Sequence, residues 1–226
     1  MVDDVFYRRI VAFFTPHKTL PIMPWTGTHP WDLGSTRILI LIAGLAIFGI
    51  GDALIIASSI GNAPWSVLAQ GISLNLGISI GSATVLVGVI VLLLWIPLKR
   101  RIGFGTIINI IVISLFIDVG LAFIPRATEL WIGVLYVLIG ITLVGLGSAL
   151  YLTCGLGPGP RDGLMTGLHD LSGIRISRIR LSLELLVLTA GALLGGTVGL
   201  GTALFALLIG QSIAIWLGVA SRSTSR

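Results

Sequence analysis

The sequence predicts an all-α polytopic membrane protein with six transmembrane helices, arranged as two inverted three-helix repeats. Hydrophobic residues make up 55% of the chain and charged residues 10%, with a mean hydropathy of +1.07. Soluble domains carry about 25% charged residues, so this chain belongs in lipid. Shifted by 96 positions without gaps, the second half of the chain also aligns with the first. Matched pairs include Gly44–Gly140, Gly51–Gly147, Gly61–Gly157, Pro64–Pro160, Gly71–Gly167, Gly77–Gly173, Gly103–Gly199 and Gly105–Gly201.

Six apolar segments are long enough to be membrane spans, because a hydrocarbon core of about 30 Å needs about 20 apolar residues. They are 38–58, 78–98, 106–124, 131–152, 177–195 and 201–219. The predicted organisation is an N-terminal cytoplasmic or interfacial segment, two membrane repeats and a cytoplasmic tail. These parts are 1–36, 37–125, 131–220 and 221–226.

The N-terminal segment mixes apolar residues with Arg8 and Arg9, which is typical of a helix lying on a membrane surface. Trp25 and Trp31 would then lie at the level of the lipid headgroups, where tryptophan is enriched. No compact apolar run with a small-residue cleavage site indicates a signal peptide in this segment.

Lysine and arginine positions predict the orientation. With six spans and a cytoplasmic N-terminus, 13 of the 14 basic residues lie inside and Arg126 alone lies outside. This distribution follows the positive-inside rule and places both termini in the cytoplasm. The net charge of +5 therefore reflects topology and contact with anionic lipid, and the sequence predicts the bilayer as a partner and no nucleic acid.

Three spans per repeat is an odd number, so the second repeat enters the membrane from the opposite side. An alternative count lets the short segments 64–76 and 160–172 cross as well. Thirteen residues reach only about 20 Å, and that count would also place Lys99, Arg100 and Arg101 outside. Six spans is therefore the predicted number.

The two short segments each begin with proline and end at glycine, the expected punctuation of a short helix. We interpret them as half-helices that dip into the protein, since interrupted segments at matching positions of inverted repeats mark transporter binding sites. Interfacial helices that only brace the loops are the alternative. The candidate half-helix tips are Pro64, Trp65, Gly157, Pro160, Arg161 and Asp162.

Charged residues inside the predicted spans are candidates for a substrate or proton pathway, because each costs about 2.5–3.5 kcal/mol at the bilayer centre. They are Asp52, Asp118, Arg180 and Glu184. Arg180 and Glu184 are one helical turn apart, which also suits a structural ion pair. Asp52 also suits a hydrogen bond to a neighbouring helix, and Asp162 suits the positive end of a helix dipole.

The run from Gly155 to Met165, with Pro158-Gly159-Pro160-Arg161-Asp162-Gly163 at its centre, resembles the signature of the YczE/YyaS/YitT-type bacterial integral membrane proteins, and the YczE-like branch most closely. The resemblance covers about residues 37–219. Relatives often carry aspartate where this chain has Ser66. The resemblance implies a multi-pass protein of the bacterial plasma membrane, and little about its chemistry.

We expect a transporter-like role, in which the two halves rock to move a small solute or metabolite with proton coupling through Glu184 or Asp118. The alternative is a non-transporting membrane partner that supports or regulates another assembly. A cavity between the half-helix tips would favour transport, and a solid core would favour the partner role. No catalytic constellation, metal-ligand spacing or cofactor motif stands out, so we predict no enzyme and no cofactor. The sequence leaves a homo-oligomer open.

Overall fold

A computed structural model describes residues 20–224, and within that range the chain forms eight helices and no strand. The predicted all-α class is confirmed, and the predicted surface helix of the first residues lies outside the described range. The helices are α1 (Ser35–Ala57), α2 (Pro64–Leu76), α3 (Ile80–Leu93), α4 (Phe104–Phe123), α5 (Leu130–Thr153), α6 (Pro160–Ser172), α7 (Ile176–Leu193) and α8 (Leu200–Thr224).

The order of the helices repeats as the sequence predicts, because α5 begins 95 residues after α1 and each of the next three begins 96 residues after its counterpart. The short helices α2 and α6 span the predicted segments. Pro64 and Pro160 occupy the first turn, where the missing N–H costs nothing. Gly77 and Gly173 end these helices in the left-handed conformation, with φ of 67° and 69°.

The first helices of the two repeats, α1 and α5, pack along each other through glycines. A Cβ added at Gly44 would lie 3.1 Å from the carbonyl oxygen of Gly147, and one added at Gly51 would lie 2.8 Å from that of Gly140. The pairs run in opposite order along the two helices, so the helices are antiparallel. The counterparts of Gly44 and Gly51, 96 residues later, are Gly140 and Gly147. The two contacts therefore involve the same four glycines and are equivalent under the repeat.

The two repeats are also interlocked at their loops. The loop after α1 accepts a hydrogen bond at Ile60 O from Gly201 N at the start of α8, at 2.9 Å. The loop after α5 accepts the counterpart bond, from Gly105 N at the start of α4 to Leu156 O, at 2.8 Å. The start of each final helix is therefore anchored on the other repeat. The rest of the helix packs within its own repeat, α4 on α1 and α8 on α5.

Four of the described helices are long and apolar enough to cross a membrane, namely α1, α4, α5 and α8. The pair α2 and α3 bends by 114° and adds a fifth if it is one broken span. The predicted span 78–98 contains only the 14-residue α3, because the chain turns after Leu93 and Trp95 packs against α6. The 18-residue α7 carries Arg178, Arg180 and Glu184. The six-span count therefore stays a prediction.

Candidate functional site

A cavity of about 170 Å³ lies where the N-terminal tips of α2 and α6 meet, between the two repeats. Polar and charged side chains line one part of it: Thr84, Asn109, Ser148, Tyr151, Arg161, Asp162, Arg180 and Glu184. Most of the remaining wall is apolar and includes Phe48, Trp65, Val87, Val91, Ile110, Ile113, Val144, Phe205, Ile209 and Ile213. Residues of both half-helix tips therefore line one cavity.

The two half-helix tips contact each other through counterpart residues. The guanidinium of Arg161 lies over the indole ring of Trp65, with Cζ 4.9 Å from the ring centroid. The Arg161 guanidinium makes no hydrogen bond and no ion pair with any residue of the described range, so its N–H groups are available to the cavity. A cation against an aromatic face in a desolvated position is stabilised by about 2 kcal/mol.

At each half-helix tip a carboxylate accepts a hydrogen bond from a hydroxyl group. The helix that supplies the acid in one repeat corresponds to the helix that supplies the hydroxyl in the other. In the first repeat, the buried carboxylate of Asp52 on α1 accepts from Ser66 Oγ on α2, at 2.9 and 2.8 Å. In the second repeat the acid is Asp162 on α6, and its carboxylate accepts from the hydroxyl of Tyr151 on α5 at 2.9 Å. The counterpart of Asp52 is Ser148, and the counterpart of Ser66 is Asp162.

The predicted ion pair on α7 is present, with Arg180 Nε donating to Glu184 Oε1 at 2.9 Å. Both side chains line the cavity, and they are 44% and 28% exposed. The opposite wall carries their counterparts Thr84 and Gly88. Charge is therefore concentrated on the side of the cavity formed by the second repeat.

The other two predicted pathway residues lie away from the cavity lining. Asp52 is buried behind the tip of α2, as described above. The carboxylate of Asp118 on α4 accepts from Ser79 Oγ at 2.6 Å and from Gly81 N at 2.7 Å. It therefore caps the N-terminus of α3, where a negative charge is stabilised by the helix dipole.

Gly157, the remaining predicted tip residue, lies in the loop before α6 rather than on the cavity wall. Its φ of 111° favours glycine, and an added Cβ would lie 2.8 Å from Thr106 Oγ1. Thr106 Oγ1 donates to Pro158 O at 2.7 Å in the same place. Gly157 is therefore a docking point between the repeats, and its counterpart Gly61 contacts Gly199 in the same way.

Four polar wall residues were not predicted as site residues from the sequence: Thr84, Asn109, Ser148 and Tyr151. Asn109 is the lone amide in an apolar helix, a signal that could have identified it. Tyr151 lies three residues after Ser148 and so on the same helix face. Among the described residues, no three His, Cys, Asp or Glu side chains form a metal site.

The segment before α1 folds over the end of α5, near the α6 tip. Gly27 N donates to Cys154 O at 2.8 Å, and the indole N–H of Trp25 donates to Thr153 Oγ1 at 3.2 Å. An ion pair of 2.6 Å joins Asp32 to Arg37, and its hydrogen bond lowers the pKa of the Asp32 carboxyl. Burial raises the pKa of the Cys154 thiol to about 12. This thiol is therefore protonated and shielded.

Comparison with known proteins identifies relatives over most of the chain. An uncharacterized protein of Haemophilus influenzae is 45% identical over 205 residues, which cover 91% of this chain and 94% of the relative. The uncharacterized membrane protein YczE of Bacillus subtilis is 29% identical over 170 residues, covering 74% and 79% of the two chains. The uncharacterized protein YyaS of the same organism is 31% identical over 185 residues, covering 79% and 91%. No solved structure matches the chain.

Residues 35–217 match a family of unknown function, DUF6198, and this range contains every residue that lines the cavity. The relatives confirm the predicted YczE-like resemblance. Apolar helices long enough to span a bilayer and a relative described as a membrane protein agree with each other. The chain is an integral membrane protein and belongs to the DUF6198 family.

Proposed function

We propose that the protein is a carrier that moves a small solute across the bacterial plasma membrane. One observation supports this most directly: both half-helix tips and the Arg180–Glu184 pair line a single cavity between the two repeats. Carrier sites are built in this way, from discontinuous helices at a repeat interface. A purely structural membrane partner has no need of desolvated charges around an open space.

The proposal includes six spans and two inverted repeats with both termini in the cytoplasm. The antiparallel crossing of α1 and α5 supports inversion, because counterpart helices in inverted repeats run in opposite directions. In this topology α3 and α7 are short spans, and the half-helices α2 and α6 dip into the protein without crossing the membrane. The distribution of 13 of the 14 basic residues supports the cytoplasmic termini.

Proton coupling is assigned to Glu184, because its carboxylate faces the cavity and has one oxygen, Oε2, without a hydrogen bond in the described range. Asp118 is a weaker candidate, since its carboxylate is engaged at the α3 cap. A carboxylate that exchanges a proton as the solute binds would couple the two fluxes.

A flux measurement tests the carrier proposal. Metabolites of cells with and without the protein are compared, and each solute that differs is offered to proteoliposomes loaded with a pH-sensitive dye. We expect the entry of at least one solute to be coupled to a proton flux, Glu184→Gln to abolish that proton flux, and Glu129→Gln, at an exposed position, to preserve it. If no solute differs or enters, the carrier proposal is wrong; if Glu184→Gln leaves the proton flux unchanged, the coupling is wrong.

Cysteine labelling tests the orientation. Cys154 is buried with a pKa of about 12, so it does not react with an impermeant maleimide at neutral pH. In intact cells we expect Arg126→Cys to be labelled from outside and Lys99→Cys to be labelled only after the membrane is opened. Labelling of Lys99→Cys in intact cells would reverse the first repeat and remove the inverted topology.

A further inference from the structure

We infer that the cavity binds a zwitterionic amino acid with an apolar side chain, an inference that rests on the proposed carrier function. The charges around the cavity suggest this class. Two carboxylates and two guanidinium groups line the cavity: Asp162, Glu184, Arg161 and Arg180. A solute with a single charge would pair with either the acidic or the basic side chains and leave the others desolvated. A zwitterion carries a partner for each.

Arg161 is the group placed to hold the carboxylate of the solute. Its guanidinium is fixed in orientation by the ring of Trp65, and within the described range it has no hydrogen-bond partner. Glu184 Oε1 already accepts from Arg180 Nε, which leaves Arg161 as the cavity cation without an ion pair. The planar fork of arginine matches a carboxylate with two parallel hydrogen bonds.

Asp162 and Glu184 are the groups placed to hold the ammonium. Asp162 Oδ2 accepts from Tyr151, and its Oδ1 has no hydrogen bond in the part of the chain that the structure describes. Glu184 likewise uses only Oε1. A carboxylate can accept about four hydrogen bonds, so both acids keep acceptor capacity facing the cavity. Asp162 and Arg161 both lie in the first turn of α6, and both line the cavity.

The rest of the wall selects the side chain of the solute. Val87, Val91 and Ile110 of the first repeat line the cavity together with Phe205 and Ile209 of the second. The volume of about 170 Å³ is close to that of a cavity of about 150 Å³ that holds benzene. A side chain of leucine size fits this space, and a charged side chain would be desolvated against apolar atoms.

Equilibrium binding to the purified full-length protein tests the inference independently of flux. Tritiated leucine is the probe. The competitors are 4-methylpentanoate, which lacks the ammonium, 3-methylbutylamine, which lacks the carboxylate, and aspartate and lysine. We expect saturable leucine binding, with each competitor weaker than unlabelled leucine by about 100-fold or more, because a site built for a polar group rejects an analogue that lacks it.

Variants assign the two head-group contacts. We expect Arg161→Gln to weaken leucine binding about 100-fold while competition by 3-methylbutylamine is retained, and Arg161→Lys to weaken it less. Arg126→Gln, at an exposed position, is the matched control and binds as the native chain does. Size-exclusion profiles and thermal midpoints establish that each variant is folded.

The outcomes separate this inference from the carrier proposal. Competition by 4-methylpentanoate or 3-methylbutylamine as strong as by leucine, or no leucine binding to folded protein, overturns the amino-acid assignment and leaves the carrier proposal to its own flux test. Leucine binding that requires Arg161, without leucine flux, supports the site and counts against transport.

Discussion

The two repeats differ most where their third and fourth helices meet. In the first repeat α3 packs along α4, and two glycines make this possible. Gly81 lies against the backbone of Ser114 and the carboxylate of Asp118, and a Cβ added at Gly88 would lie 2.9 Å from Ile110 Cγ1. In the second repeat, α7 and α8 make almost no backbone contact, and Gly210, the counterpart of Ser114, has nothing within 4 Å.

We call the contact between the third and fourth helices of a repeat its seam. The same chain path therefore gives a closely packed seam between α3 and α4 and an open seam between α7 and α8. The counterparts of Gly81 and Gly88 are Ser177 and Glu184, so the second repeat lacks the glycines that allow close approach. Glu184 also brings charge to the cavity at the position where the first repeat has no side chain. In the proposed carrier the two seams would open and close in turn, and the asymmetry would then belong to one of its two states.

The largest effect on stability is expected when the residues at the counterpart positions Gly88 and Glu184 are exchanged between the repeats. We expect Gly88→Glu to lower the free energy of unfolding by about 4 kcal/mol, since overpacking costs about 1–3 and a charge at membrane depth about 2.5–3.5. The reciprocal Glu184→Gly removes a partly exposed side chain and should cost about 1 kcal/mol, mainly through helix propensity. Denaturant unfolding in mixed micelles measures both.

Equal losses for Gly88→Glu and Glu184→Gly would contradict the comparison, because the two seams would then be equally tight. Gly88→Ala provides an intermediate step, since its added atom meets only the flexible side chain of Ile110.

The exchanged carboxylates give a second, smaller prediction. Ser66→Asp places a second carboxylate against buried Asp52, and we expect a loss of about 2–3 kcal/mol because a buried polar group is left unsatisfied. The double change Asp52→Ser with Ser66→Asp restores one acid and one hydroxyl, in the arrangement of the second repeat. It should recover most of the loss, and a double-mutant cycle measures the coupling.

If the double change is as unstable as Ser66→Asp alone, the two arrangements are not interchangeable. The exchange between repeats would then reflect differences in the surrounding helices rather than a shared design.

Local signals predicted the helices well. Proline at the start and glycine at the end of α2 and α6 fixed their bounds, because these residues act on their own backbone. The pair Arg180–Glu184 was equally local, since residues four apart meet on one helix face. Helix bounds and side-chain pairs within one helix can therefore be predicted from the sequence.

Long-range contacts were not readable in the same way. Asp118 was predicted as a pathway candidate, but its partner Gly81 is 37 residues away and only the packing of α3 on α4 brings them together. The contact of Arg161 with Trp65 likewise requires both half-helices to reach the same point. Within the predicted span 78–98 the helix ends at Leu93, and beyond it Trp95 donates its indole N–H to Pro160 O at 3.0 Å, a contact made across the two repeats.

The smallest expected effect on stability is that of a substitution in the open seam. Gly210→Leu adds a large side chain where the open seam leaves space, so the free energy of unfolding should change by less than about 0.5 kcal/mol. The matched control Ser114→Leu overpacks the closed seam and should cost about 1–3 kcal/mol. If the seam between α7 and α8 must close during transport, Gly210→Leu will leave stability intact and still reduce flux in proteoliposomes. A Gly210→Leu variant that is strongly destabilised would mean that α7 already covers α8 in the membrane, and the two repeats would then have matching seams.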